Sequence, residues 1–150
     1  MAEPDLFDLT GRSVVVTGAS SGLGRRFVRC LAGRGARVVA AARRTRELEE
    51  LARELGEDRV LPVTADVTVE DDVRALVARA REWTGRLDAL VNNAGTTHVK
   101  TVAEETTDDF RRLLDVNLVG LYTCARHAGL AMVEQGGGSI VNIEIGRAHV

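Results

Sequence analysis

The sequence predicts a doubly wound α/β sandwich, a parallel β-sheet with helices on both faces. Three observations carry this expectation. Short β-branched runs alternate with longer helical patterns in the order β-α-β-α-β-α-β-α-β. Strands such as Val14-Val15-Val16 and Ala89-Leu90-Val91 are apolar on successive residues, as strands covered on both faces require. A chain of 150 residues with 45% hydrophobic content suits one compact domain, and such a domain buries about 70% of the surface its unfolded form exposes.

Taken in order, strands are expected over residues 13–17, 37–41, 60–64, 87–91 and 139–143, and helices over 23–32, 46–55, 69–83 and 108–134. Gly136-Gly137-Gly138 reads as the turn from the last helix into the last strand. No repeat at solenoid spacing and no low-complexity linker divides the chain, so a single domain is expected over residues 1–143.

Charge narrows the function classes. The 20 basic and 22 acidic residues give −2 and are spread along the chain, which implies neither a nucleic-acid patch nor a membrane-surface helix. Met1-Ala2-Glu3-Pro4-Asp5 is acidic, and no apolar run approaches the ~18 residues of a membrane span. A soluble cytoplasmic protein is expected. Cys30 and Cys124 lie on separate helical patterns without metal-ligand spacing, so they read as reduced, packed thiols, and no metal site is expected.

The first strand runs into Thr17-Gly18-Ala19-Ser20-Ser21-Gly22-Leu23-Gly24 at the start of a helix. Helix N-termini concentrate unpaired N–H groups and partial positive charge, so a loop whose glycines admit the ligand closely suits a pyrophosphate. The alternative is a strand-to-helix turn that is glycine-rich only for packing. It is not a Walker loop, because Arg25 follows Gly24 where Lys-Ser/Thr is needed.

This Thr-Gly-x-x-x-Gly-x-Gly pattern resembles that of the short-chain dehydrogenase/reductase family, and further matches follow in family order. They are Ala65-Asp66-Val67 after the third strand, Asn92-Asn93-Ala94-Gly95 after the fourth, Asn117 in Asp115-Val116-Asn117-Leu118-Val119-Gly120, and Gly138-Ser139-Ile140-Val141-Asn142-Ile143. The resemblance covers nearly all of residues 10–143. It implies a Rossmann-like sheet ordered 3-2-1-4-5, with cofactor across the carboxyl ends of the strands where the winding reverses.

It also implies roles for matching positions. Gly18, Ser20, Ser21, Gly22, Leu23 and Gly24 would hold the phosphates, and Asp66 with Val67 would meet the adenine. Asn93, Ala94 and Gly95 would line the ribose side. Asp66 is alternatively a strand-terminating turn former. In this fold a carboxylate at the tip of the second strand favours NAD, and an arginine favours the 2′-phosphate of NADP. The tip here is Ala40-Ala41-Ala42-Arg43-Arg44, without an acid. NADP(H) is therefore the expected cofactor, with NAD(H) possible; the alternative is that Arg43 and Arg44 open the next helix in solvent.

Phe110, Leu113, Leu114, Leu121, Cys124, Ala128 and Met132 recur at helical spacing, and Asn117 falls on the same stripe. A buried amide must be hydrogen-bonded, either to neighbouring backbone or in the role the resemblance implies: holding a water in a proton relay. Asn117 is the one member of the family's catalytic group with a matching residue. The catalytic serine position falls on Ile145, and the Tyr-x-x-x-Lys motif would lie past Val150. Tyr122, the only tyrosine, is followed four residues later by Arg126; Lys100 is the only lysine. Thr96, Thr97 and His98 read as exposed loop residues.

Residues 144–150 resemble the translation of a common short-read sequencing adapter and are expected to be non-native, in a chain truncated after the fifth strand. The parent protein is expected to be an NADP(H)-dependent oxidoreductase of small-molecule alcohols and carbonyls, a homodimer or homotetramer, with the chain as written inactive. The alternatives are a non-catalytic dinucleotide-binding module and a fragment without independent function.

Overall fold

The computed structural model describes residues 5–144. Ile145, His149 and nearly all of the adapter-like segment lie outside them. The elements follow the expected alternation: β1 (Ser13–Thr17), α1 (Gly22–Gly33), β2 (Arg37–Ala42), α2 (Thr45–Leu55), β3 (Val60–Thr64), α3 (Glu70–Thr84), β4 (Ala89–Asn92), α4 (Thr107–Leu114), a π-helical segment (Asp115–Gly120), α5 (Leu121–Glu134) and β5 (Ser139–Asn142).

The five described strands form one parallel sheet in the order β3-β2-β1-β4-β5. Its register aligns Leu61, Val39, Val15, Leu90 and Ile140 across the sheet. β1 is buried along its whole length, because its alternate side chains serve two cores. Val14 and Val16 pack with Val28, Ala32, Leu48 and Leu51 of α1 and α2. Val15 packs on the other face with Val73 and Leu76 of α3 and Cys124, Ala128 and Met132 of α5. This double covering explains the unbroken apolar runs.

Local chemistry marks the helix ends. α3 opens with Glu70, Asp71 and Asp72, which complement its dipole, and stops at left-handed Gly85. α4 opens with a capping box in which Thr106 and Asp109 bond each other's backbone N–H. No described helix is long and apolar enough to cross a membrane.

Three expectations are corrected. The helix predicted over 108–134 is interrupted by the π-helical turn around Asn117. A π turn adds a residue and rotates what precedes it by roughly 100°, so the stripe breaks: Cys124, Ala128 and Met132 are buried, whereas Phe110 is 51% exposed. The fourth strand begins at Ala89 because the Gln135 side chain takes both backbone groups of Leu87, accepting its N–H at 3.0 Å and donating to its carbonyl at 2.7 Å. Cys30 is exposed rather than packed; Cys124 is buried.

Candidate functional site

A cleft of about 380 Å³ opens at the carboxyl ends of β1, β2, β3 and β4, where β1 pairs with β2 on one side and β4 on the other. Such reversals of winding leave a crevice between diverging loops. Most of the residues singled out in the sequence meet there. Gly18, Ser20, Ser21 and Leu23 come from the glycine loop, Arg43 and Arg44 from the tip of β2, Asp66 and Val67 from the end of β3, and Asn93, Ala94 and Gly95 from the loop after β4.

Gly22 and Gly24 do not line the cleft. Gly22 opens α1 with φ +54°. Gly24 permits packing: a Cβ there would overlap the Gly18 carbonyl oxygen and stand 2.5 Å from Asn93 Nδ2. Gly18 is constrained twice, by φ +67° and by Ala94, whose Cα would lie 2.8 Å from an added Cβ.

Two loops distant in sequence are tied together. Buried Thr17 accepts through Oγ1 the backbone N–H groups of Asn93 and Ala94, each at 3.0 Å. Asn93 Nδ2 in return donates to the carbonyls of Thr17 and Gly18, at 3.0 and 3.4 Å. Between them, α1 opens with no acidic residue in its first turn and no side-chain cap from Ser21. The corresponding turns of α2, α3 and α4 all carry acids. The N-terminus of α1 is thus left with its partial positive charge uncompensated beside the cleft.

The two arginines behave differently. Arg44 donates from Nε and one terminal nitrogen to Ser20 Oγ, at 3.2 and 3.0 Å, and so braces the glycine loop against β2. Arg43 is 74% exposed, and its nearest carboxylate oxygen, Oδ2 of Asp66, is 4.0 Å away. Asp66 Oδ1 accepts from the N–H and hydroxyl of Thr68, at 3.0 and 2.7 Å, forming the turn that ends β3. Burial pushes the Asp66 carboxyl up, but the bonds from Thr68 and the charge of Arg43 outweigh it and hold it below the usual carboxylate range.

Asn117 stands behind the cleft on the π segment. Its Oδ1 accepts the N–H of Thr96 at 2.8 Å, and its Nδ2 donates to the Thr96 carbonyl at 2.9 Å. The amide therefore clamps the backbone of the loop after β4. Further along that loop, His98 pairs with Glu105 at 2.7 Å and Lys100 with Asp109 at 2.6 Å. The cleft is also lined by Ala41, Ala42, Ala65, Thr96 and Val116, which were not among the predicted site residues. The strand-end alanines were legible as termini of apolar runs. Val116 had no signal, because its direction depends on the π turn.

The comparisons agree with this architecture. The sequence profile described as short chain dehydrogenase matches residues 12–149. An uncharacterized oxidoreductase of Thermotoga maritima is 38% identical over 143 residues, 93% of this chain and 56% of that protein. One from Staphylococcus aureus is 36% identical over 135 residues, 90% of this chain and 58% of that protein. The crystal structure of a short-chain type dehydrogenase/reductase from Mycobacterium marinum superposes with a TM-score of 0.89 at 36% identity, covering 95% of this chain and 59% of that one. The chain thus spans little more than half the length of these relatives. With the sheet order, the cleft and the sequence match in agreement, the chain belongs to the short chain dehydrogenase family.

Proposed function

We propose that the whole protein to which this chain corresponds is an NADP(H)-dependent oxidoreductase that interconverts an alcohol and a carbonyl, and that these residues form its cofactor-binding portion. The glycine loop suits a dinucleotide: Gly18 lines the cleft beside the N-terminus of α1, whose first turn carries no acid and no side-chain cap. Bound there, the cofactor supplies or accepts the hydride. Backbone N–H groups of the loop through Ser20, Ser21, Gly22 and Leu23 hold its phosphates, Asp66 accepts from the adenine amino group with Val67 beside it, and Asn93, Ala94 and Gly95 face the ribose. Asn117 holds the Thr96 backbone and serves the proton relay that the family resemblance implies.

The observation that carries the cofactor preference is the exposed Arg43 guanidinium at the cleft rim, free of any contact closer than the 4.0 Å to Asp66 among its described ion pairs. A charge-assisted bond to a 2′-phosphate contributes about 1.5–3 kcal/mol, roughly one to two powers of ten in affinity. Titrating NADPH and NADH against the protein and Arg43→Glu tests it. Unchanged NADPH affinity in the variant removes Arg43 from the role.

A second reading is a dinucleotide-binding module without chemistry of its own. It needs only the glycine loop, Asp66 and Arg43, which meet in the cleft. The 150-residue chain alone is accordingly proposed to show no turnover. Extending the gene discriminates: a downstream Tyr-x-x-x-Lys supports the enzyme. The adapter origin of residues 144–150 rests on their sequence, and recovery of the same codons with an independent library chemistry would overturn it.

A further inference from the structure

Gly120 is the buried residue of the π segment, and it is pressed against a wall of the cleft. A Cβ built on it would stand 2.8 Å from Val67 Cγ2, 3.0 Å from the Val67 carbonyl oxygen and 3.2 Å from the Asp115 carbonyl oxygen. Val67 in turn lines the cleft next to Asp66 and packs against the core under α3 and α5. The order from solvent inward is therefore cleft, Val67, Gly120. Three residues earlier in the same segment, Asn117 clamps Thr96 on a different wall. The π segment thus backs the loop after β3 through Gly120 and the loop after β4 through Asn117.

We infer that Gly120 is a positioning residue for the adenine end of the cleft: its missing side chain lets the π segment seat Val67, and so sets the depth at which the base is received. This inference rests on the dinucleotide reading above. A methyl group at 120 meets a backbone oxygen as well as a side-chain tip, so rotation of Val67 alone does not relieve it. The Asp66–Val67 turn must move toward the cleft, where the adenine would lie.

The test measures binding of adenosine 2′,5′-bisphosphate by calorimetry to the full chain, Gly120→Ala, Val67→Ala and the double variant, with amide exchange over residues 66–69. Gly120→Ala is expected to weaken binding about tenfold and to speed exchange in that turn. In the Val67→Ala background, where the 2.8 Å overlap with Cγ2 is gone and only the carbonyl oxygens at 3.0 and 3.2 Å remain, the same substitution is expected to weaken binding by no more than about threefold. A glycine needed only for folding would lower Tm and leave the affinity of the folded protein unchanged, and that result overturns the inference. So does an effect equally large in both backgrounds. If the unsubstituted chain binds neither this probe nor ADP, the dinucleotide reading fails and this inference falls with it, which separates the two failures.

Discussion

Thr17 and Asn93 bond each other in both directions: the Thr17 hydroxyl accepts the Asn93 backbone N–H, and the Asn93 side-chain amide donates to the Thr17 carbonyl, each at 3.0 Å. The hydroxyl also accepts from Ala94. Thr17→Val keeps the shape and leaves two half-buried N–H groups without their acceptor, at about 1–3 kcal/mol each. A loss of about 3 kcal/mol is expected in urea unfolding, with Thr17→Ser recovering most of it. A valine variant as stable as the parent would refute the tie.

Gly24 packs against the Gly18 carbonyl and the Asn93 side chain, which bond each other at 3.4 Å. Gly24→Ala should force these apart, lowering stability by about 1–3 kcal/mol and abolishing NADPH binding in the fraction that folds. Gly33, on the same helix with nothing within 4 Å of an added Cβ, is the control. Gly33→Ala should be neutral or stabilising, as expected where alanine replaces a helical glycine.

Arg43 and Arg44 should separate in a cofactor titration. Arg43→Glu should lower NADPH affinity by roughly ten- to a hundredfold and leave NADH affinity within about twofold. Arg44→Ala, which unbraces Ser20, should weaken both cofactors together. Equal losses for both cofactors in Arg43→Glu would argue against a 2′-phosphate contact.

Asp88 anchors the amino edge of the sheet, accepting the Ser13 N–H at 2.9 Å and pairing with Arg12 and Arg86. Burial raises its pKa, but the Ser13 bond and both arginines hold it below the ordinary 3.8. A depressed carboxyl contributes stability above its unfolded pKa and loses it as pH falls through the folded value. Asp88→Asn should therefore lower stability by about 2 kcal/mol at pH 7, with the gap to the parent closing below pH 3.8. Parallel pH profiles for the two proteins would contradict this.

β5 pairs with β4 alone among the described strands, leaving Ile140 38% and Val141 47% exposed. Open apolar edges recruit other chains. Val141→Lys should reduce light scattering of the 150-residue chain at matched concentration. Scattering that does not fall would move the source of any association elsewhere.

Local patterns carried much of the architecture. The apolar run of β1 marked a strand buried on both faces, that of β4 a strand buried fully only at Leu90 and Asn92, and Gly18, Gly22 and Gly24 marked the turn that feeds α1. The arginines at the tip of β2 were legible as cleft residues because a strand end is fixed by its own sequence. Asn117 was legible by type, since a polar residue among apolar positions of a helical pattern demands partners, although the stripe on which it was read breaks at the π turn. Those partners turned out to be the Thr96 backbone, 21 residues away.

What the sequence by itself determined is the set of elements and the residues at their ends, because helix and strand periodicities arise from neighbours within a few positions. Only the tertiary structure decided the Thr17–Asn93 tie across 76 residues, the π turn that breaks the long helix, and the seating of Val67 on Gly120. Those contacts join segments that meet only once the sheet has wound in both directions, and no local period records which loops will touch there.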